Sequence, residues 1–399
     1  MHHPFNQQTP LGNTLAATIA ERGPITFADY MQIALYDPSA GYYTNPERQR
    51  IGWEGDFITS FDLHPLFGAA IGRQIAEIWE RLGRPDPFLV QEDGAARGLL
   101  ARDILAWARA TGSDAPAGFA AALRYRMRDV ASGVTGEQTW LAEPGMAWPA
   151  TTSAPQLILS NELIDAFPVH IIARGPAGWL EIYVNATDDP PYLQELVGPL
   201  SSDALAAYFD RFAVRWQDFP LGWRGEINLQ AETWLAEAAQ RLAPTGAIIT
   251  IDYGDVAASL YTPARHQGTL LCYREHTLSE EPLAFTGRQD ITAHVNFSAL
   301  IAVGTQHGLA LAGLTTQRDF LLALGIREDV TALEQLRYPN ADAERHTDAG
   351  QIDYLRRASL RQRIATLLDP AGLGGFRVLI QQRGLPTGDG PLRGLGNGA

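Results

Sequence analysis

The chain of 399 residues contains no lysine; all 31 of its cations are arginines. Schiff-base catalysis and pyridoxal-phosphate tethering need a lysine amine and are excluded. So are phosphate-binding loops and kinase sites built around a lysine. Cys272 is the single cysteine. A disulfide framework and a cysteine-based zinc site are therefore excluded, and no metal site is expected. No apolar run reaches the roughly 18 residues that span a bilayer, so no membrane insertion is expected. The opening residues, Met1 to Asn6, lack a basic segment followed by an apolar one, which removes a secretory signal. These absences predict a cytoplasmic protein. Positive charge is scarce too: 45 acids against 31 arginines leave a formal charge of −14. That balance argues against a nucleic-acid or anionic-membrane binder, because phosphate contacts need a basic face. It suits a cationic substrate.

What is present reads as alternating strands and helices. Ile71, Ile75, Ile78, Trp79 and Leu82 recur at helical spacing before Pro85-Asp86-Pro87 stops the pattern. Phe88-Leu89-Val90 opens an apolar run, and Glu92 to Gly98 forms a glycine-bearing turn. Leu100, Ile104 and Trp107 then mark one face of a second helix. Strand, turn and helix in that order open a βαβ unit. Further strands are predicted over Leu123 to Val130, Gln156 to Ser160, Gly246 to Ile251 and Phe376 to Ile380, with a helix over Glu232 to Leu242. Val169 to Arg174 and Trp179 to Val184 flank Gly175-Pro176-Ala177-Gly178 as a hairpin. The fold class is α/β: a doubly wound, mostly parallel sheet with an added, mainly helical subdomain.

In such sheets ligands bind at the carboxyl ends of the strands. The residues that fall there are Glu92 to Gly98, Asp129, Asn161 to Asp165 and Asp252 to Gly254. A nucleoside-bearing ligand suits this set. Glycine lets the backbone approach it, helix N-termini receive its anionic part, and an acid accepts from the ribose hydroxyls. Asp129, about 30 residues after the turn, stands where a ribose acid belongs. The spacing Gly94-x-x-x-Gly98 lacks a middle glycine and does not fit the dinucleotide fingerprint, which ranks a nicotinamide dehydrogenase low.

Several ordered segments resemble the MidA family of S-adenosylmethionine-dependent methyltransferases. They include Tyr36-Asp37-Pro38-x-x-Gly41-Tyr42-Tyr43, Gly55-Asp56-Phe57-Ile58-Thr59-Ser60 and Glu92-x-Gly94-x-x-Arg97-Gly98. They continue with Ser160-Asn161-Glu162-Leu163-Ile164-Asp165-Ala166-Phe167-Pro168-Val169-His170, Ile251-Asp252-Tyr253-Gly254 and Gly268-Thr269-Leu270. Asp290-Ile291-Thr292-Ala293-His294-Val295-Asn296-Phe297 and Phe376-Arg377-Val378-Leu379 complete the set. Mitochondrial members of that family are protein-arginine methyltransferases needed for respiratory complex I assembly.

The resemblance implies a class I, Rossmann-like methyltransferase with S-adenosyl-L-methionine as cofactor. Gly94 and Gly98 would approach the methionine part of the cofactor and Glu92 its amino group. Asp129 would accept from the ribose. Gly55, Asp56 and Thr59 would belong to a loop covering the cofactor, where Trp53 anchors the loop or stacks on adenine. Asn161, Glu162 and Asp165 would face the transferred methyl and the acceptor. An arginine guanidinium keeps its proton at neutral pH, so a carboxylate must orient it and localise its charge. Glu162 is the first choice, with Asp165 next. Helix capping at the strand exit is their alternative role. His294 either relays a proton or is structural, and Tyr253 lines the site or packs.

The expected acceptor is an arginine in a protein, with a respiratory complex subunit as one candidate. The alternatives are a non-catalytic binding or assembly factor and a small-molecule methyltransferase. A homodimer is left open. Two residues depart from the family's turn: Asp93 replaces an apolar residue and Ala96 a glycine. They predict an added charge near the turn, and a methyl that crowds the cofactor or shifts the backbone. The expected organisation has an N-terminal helical segment with the covering loop over 1–84. A methyltransferase core follows over 85–187 and 225–304 with 366–383, and an accessory helical subdomain over 188–224 and 305–365. A disordered tail over 384–399 ends the chain.

Overall fold

Residues 9–45, 60–130, 136–140, 153–188, 192–275, 277–339, 341, 346–386, 388 and 390–398 are described by the computed structural model. Seven strands form the main sheet: β1 (Phe88–Asp93), β2 (Leu123–Asp129), β3 (Gly136–Trp140), β4 (Leu157–Asn161), β5 (Gly246–Asp252), β6 (Ala310–Thr316) and β7 (Arg377–Arg383). Their order across the sheet is β3-β2-β1-β4-β5-β7-β6. β2, β1, β4 and β5 are parallel neighbours, while β3 and β7 run the other way. The chain leaves β1 towards one edge and returns to β4 on the other side. The order therefore reverses between β1 and β4, where doubly wound sheets open a crevice.

Five helices bear on the site: α1 (Phe27–Tyr36), α2 (Leu66–Arg81), α3 (Leu99–Arg109), α4 (Leu229–Arg241) and α5 (Phe297–Gln306). The central strands are apolar on both faces, as a sheet covered twice requires. Alternate residues divide between two cores. Leu159, Ile249 and Ile251 pack with Phe67, Ile71 and Ile104 from α2 and α3. Ile158, Ile248 and Leu379 pack with Leu235 and Leu300 from α4 and α5.

A second, antiparallel sheet joins Ile25–Thr26, His170–Arg174, Trp179–Ala186, Leu193–Gly198 and Arg224–Ile227. The Gly175-to-Gly178 hairpin read from the sequence is its centre. Thr26 caps α1 by accepting from the Asp29 N–H at 3.0 Å. Tyr30, Met31 and Leu35 then dock α1 onto Ile171 and Val184 of this sheet and onto Val169 just before it. That docking carries Tyr36, the last residue of α1, towards the ends of the main strands.

Three segments differ from the sequence expectation. Residues 188–224, expected in the helical subdomain with one helical segment near Leu205 to Phe212, hold that helix as Asp203–Arg211, yet they also supply the strand Leu193–Gly198 and lead into Arg224–Ile227. Within 305–365 the first element is β6, an edge strand of the main sheet, before helices follow. The tail expected to be disordered is packed: Leu385, Leu392 and Leu395 are buried in the core around α2. Each contributes about 1.5–3 kcal/mol by burial. Gln74, itself fully buried, accepts from the Gly394 N–H at 2.9 Å, and Arg81 donates to the carbonyls of Gly390 and Pro391.

Candidate active site

The turn after β1 is made of left-handed backbone. Gly94, Ala96 and Gly98 have φ of +76°, +44° and +69°. A Cβ on Gly94 would stand 2.8 Å from Leu163 Cδ1, so glycine serves there for space as well as for φ. The N–H groups of Gly94 and Ala95 donate to the Arg128 carbonyl at 2.9 and 3.2 Å. For Ala96 the left-handed conformation costs about 1–2 kcal/mol. Its N–H donates to Asp129 Oδ2 at 2.6 Å, a charge-assisted bond that offsets the cost. The position does require positive φ, and alanine adopts it. Asp129 ends β2 as the sequence indicated, and one of its oxygens buttresses the turn.

Asp93 does not add charge beside the turn, contrary to expectation. Its Oδ2 accepts from Arg241 Nη2 at 2.6 Å and Trp234 Nε1 at 3.0 Å, both from α4. Its Oδ1 accepts from Gln91 Nε2 at 2.8 Å, with Arg128 Nη1 at 3.6 Å. Glu92 is also buried and accepts from the Tyr125 hydroxyl at 2.8 Å. Burial pushes its carboxyl up to about 8, against the Tyr125 bond and aided by Asp129 and Asp93.

The exit of β4 gathers the remaining acids. Asn161 donates through Nδ2 to Glu162 Oε1 at 3.1 Å, and its buried Oδ1 has no hydrogen-bond partner among the described residues. Glu162 has φ of +50°, a strained value for a non-glycine residue. Its N–H donates to the Ile251 carbonyl at 2.9 Å, and its Oε1 accepts from the Ser60 N–H at 3.0 Å. Asp165 accepts from the Tyr253 hydroxyl at 2.5 Å, while its buried Oδ1 has no hydrogen-bond partner among the described residues. Burial pushes the Asp165 carboxyl up to about 6, although the Tyr253 bond opposes the rise.

Asp252, fully buried at the end of β5, holds this segment in place. Its Oδ2 faces the N–H groups of Leu163, Ile164 and Asp165 at 3.3, 2.9 and 3.3 Å. Its Oδ1 accepts from the Tyr253 N–H at 2.9 Å. Burial, with Asp165 and Glu162 nearby, holds its carboxyl above the ordinary range.

Three further residues close in from other elements. Tyr36 donates to the Ala166 carbonyl at 3.0 Å and stacks on Tyr43 with ring centroids 5.5 Å apart. Tyr43 donates to Asp290 Oδ1 at 2.8 Å. Burial raises the Tyr36 hydroxyl far above its ordinary range, and Asp290, Asp165 and Asp129 all add to the rise. Tyr36 therefore lies within electrostatic reach of both the β2 and the β4 ends. Sequence reasoning assigned no role to any of these three, although all fall in the resembling segments.

His294 stands one ring away from Asp165. Its imidazole meets the Tyr253 ring edge-to-face at 5.4 Å, and its backbone N–H donates to Thr269 Oγ1 at 3.0 Å. Burial, and then Arg265, push the imidazole down to about 4, so it is neutral at pH 7. Gly55, Asp56, Thr59 and Trp53 lie outside the described residues.

A family model of S-adenosyl-L-methionine-dependent methyltransferases matches residues 70–315, more than half of the chain. Among curated proteins, the rat mitochondrial protein arginine methyltransferase NDUFAF7 (Rattus norvegicus) is 28% identical over 351 residues, covering 80% of this chain and 75% of its own. The human protein of that name (Homo sapiens) is 29% identical over 350 residues, covering 80% and 74%. Among solved structures, a Burkholderia thailandensis protein bound to S-adenosyl-homocysteine superposes with a TM-score of 0.74. It is 27% identical and covers 97% of this chain and 94% of that one. The expectation of a cytoplasmic protein is corrected by these relatives, which are named as mitochondrial. That expectation rested only on absent secretory and membrane signals, which leave other compartments untouched.

Proposed function

The chain belongs to the S-adenosyl-L-methionine-dependent methyltransferases, and we propose that it methylates an arginine side chain in a protein. The observation that carries this reading is Asp165: a buried carboxylate at the exit of β4, with one oxygen held by Tyr253 and the other without a hydrogen-bond partner among the described residues. A buried acceptor left unmatched costs free energy until a donor arrives. A guanidinium brings donors and a positive charge together in one planar fork. The names of the curated relatives, protein arginine methyltransferases, support the same acceptor. A respiratory complex subunit as the acceptor belongs to this reading through the family resemblance alone.

The residues present fit the methyl donor. Gly94 and Gly98 shape a turn whose backbone a nucleoside can approach, and the orphaned Asn161 Oδ1 offers an acceptor next to it. Bound S-adenosylmethionine supplies an electrophilic methyl on a sulfonium, transferred by in-line displacement. Alignment supplies much of the rate in such a step. Asp165 accepts from the guanidinium, draws its charge away from the attacking nitrogen, and takes the proton released as the N–C bond forms. With a pKa of about 6 it is ionised at neutral pH yet basic enough for that task. Tyr253 fixes the carboxylate, and Asp252 fixes the loop that bears it. Glu162, expected to lead, has its Oε1 engaged by Ser60 and Asn161 and positions that corner of the site.

The test is transfer of a tritiated methyl group to protein, followed by hydrolysis and amino-acid analysis. Labelled methylarginine, lost in Asp165→Asn, supports the reading. Label in carboxyl esters or only in small metabolites sinks it.

A further inference from the structure

A cavity of about 310 Å³ opens beside the candidate site. Ile171 and Glu226 of the second sheet form one side, Arg265 with residues 267–271 another, and His294 a third. It shares a wall with the site. His294 lines the cavity and meets Tyr253, and Tyr253 bonds to Asp165.

The charged groups that line this cavity differ in how they are held. Glu226 is buried and occupied, accepting from the N–H and the hydroxyl of Thr269, each at 2.9 Å. Glu195 is held bidentately by Arg224 at 2.6 and 2.9 Å. His294 is neutral at pH 7. Glu280 stands exposed at the rim. Arg265 is half-buried; its backbone N–H donates to the Thr262 carbonyl at 3.1 Å, but its guanidinium makes no hydrogen bond or ion pair among the described residues. Other half-buried arginines in this chain are matched: Arg73 by Asp114 and Asp329, Arg241 by Asp93, Arg377 by Asp255. A guanidinium taken partly out of water without an acceptor is unfavourable, and a carboxylate would match its fork.

We propose that this cavity is a docking subsite for the acceptor protein, in which Arg265 pairs with an acidic side chain near the methylated arginine. The proposal rests on the arginine reading above. One ring pair separates the cavity from Asp165, so the acidic residue stands about two to four positions from the arginine, at roughly 3.3–3.6 Å per extended residue. The subsite would make the enzyme selective for arginines in acidic surroundings, despite its own negative charge.

The test uses two fluorescent peptides, each with one arginine, and measures anisotropy with the full chain and saturating S-adenosyl-homocysteine. One carries aspartate three positions from the arginine and the other asparagine. The aspartate peptide should bind about tenfold more tightly. Arg265→Ala should erase that difference and leave the asparagine peptide unchanged. Arg265→Glu should reverse it in favour of a lysine twin. Equal binding of both peptides to the wild type, no binding of either, or an equal loss of both in Arg265→Ala overturns the proposal. The two readings separate in a parallel methylation assay. Aspartate preference without methylarginine sinks the arginine reading and leaves the subsite standing. Methylation of both peptides with equal affinity does the reverse.

Discussion

Asp93 is the departure that most threatens cofactor binding on paper, and its geometry makes a sharp test. Arg241→Ala removes the 2.6 Å guanidinium contact from a carboxylate that is 5% exposed. Breaking a fully buried ion pair from one side costs about 3–5 kcal/mol, because the remaining charge is stranded. Here the cost is smaller. The Arg241 side chain is 28% exposed, and Asp93 keeps Trp234, Gln91 and the nearby Arg128. A loss of about 2–3 kcal/mol is expected. Replacing both partners with apolar side chains, Asp93→Val with Arg241→Met, should return stability to within about 1 kcal/mol of wild type. The double-mutant cycle is read by urea unfolding, with fluorescence and circular dichroism required to coincide. Titration with S-adenosyl-homocysteine is the second readout. Asp93→Asn should leave that affinity unchanged within about twofold, since Asp93 faces α4 and not the turn. The reasoning is refuted if Arg241→Ala costs less than about 0.5 kcal/mol, if the double variant is less stable than Arg241→Ala alone, or if Asp93→Asn weakens the ligand tenfold.

Asp165→Asn should lower kcat by about 10²–10⁴ while ligand affinity stays within a fewfold, measured by steady-state kinetics and calorimetry. Because burial raises the wild-type carboxyl to about 6, kcat/KM should climb with pH below 6 and level off above it, and the variant should lose that limb. The sign for stability is opposite: a carboxyl raised in the folded state favours folding less once ionised. Wild-type melting temperature should therefore fall between about pH 4 and 6, more than in Asp165→Asn. Tyr253→Phe removes the bond that lowers the Asp165 pKa, so the kinetic limb should move upward in a pH–rate profile. Gly94→Ala meets both a φ of +76° and a 2.8 Å approach to Leu163, so ligand affinity should drop at least tenfold and stability by about 1–2 kcal/mol, read by calorimetry and urea unfolding.

Much of the main sheet was legible because its strands are short apolar runs bounded by turn residues, and parallel strands buried on both faces must be so. β6 was not legible. Its sequence, Ala310-Leu311-Ala312-Gly313-Leu314-Thr315-Thr316, is small and glycine-bearing, and its register shifts at Gly313. Leu193–Gly198 was hidden for a different reason. It is mostly exposed, with Leu196 and Val197 on the surface, so no buried face patterns it. The tail was misread because glycine and proline dominate its composition, while three separated leucines do the packing. Within the site, the strand-end acids followed from topology. Tyr36 and Asp290 did not, since Tyr36 meets Ala166 across 130 residues and Asp290 is met by Tyr43 across 247. The orientation of Asp93 was available all along. Successive side chains of a strand face opposite sides, so a Glu92 on the turn side already sends Asp93 to the other.

The missing lysine bears on how the acids are used. Arg73 donates to Asp114 and Asp329 through three nitrogens, and Arg211, Arg224 and Arg361 each grip a glutamate with two. One ammonium could not reproduce that planar fork, so at these places arginine is structurally required. The buried acids at the strand ends are treated differently. Glu92 is matched by the Tyr125 hydroxyl, Asp165 by the Tyr253 hydroxyl and Asp252 by backbone N–H groups. None of these three forms an ion pair with an arginine among the described residues. Neutral donors hold these carboxyl groups in place with no cation beside them, so burial raises all three: Asp165, at about 6, is ionised at neutral pH, while Glu92, at about 8, stays mostly protonated until a cation lowers it. The cations that would balance them must then come with the ligands, as a sulfonium and a guanidinium do. A chain rich in arginine that keeps its own arginines away from these three acids has left the site's charge to be completed by its substrates.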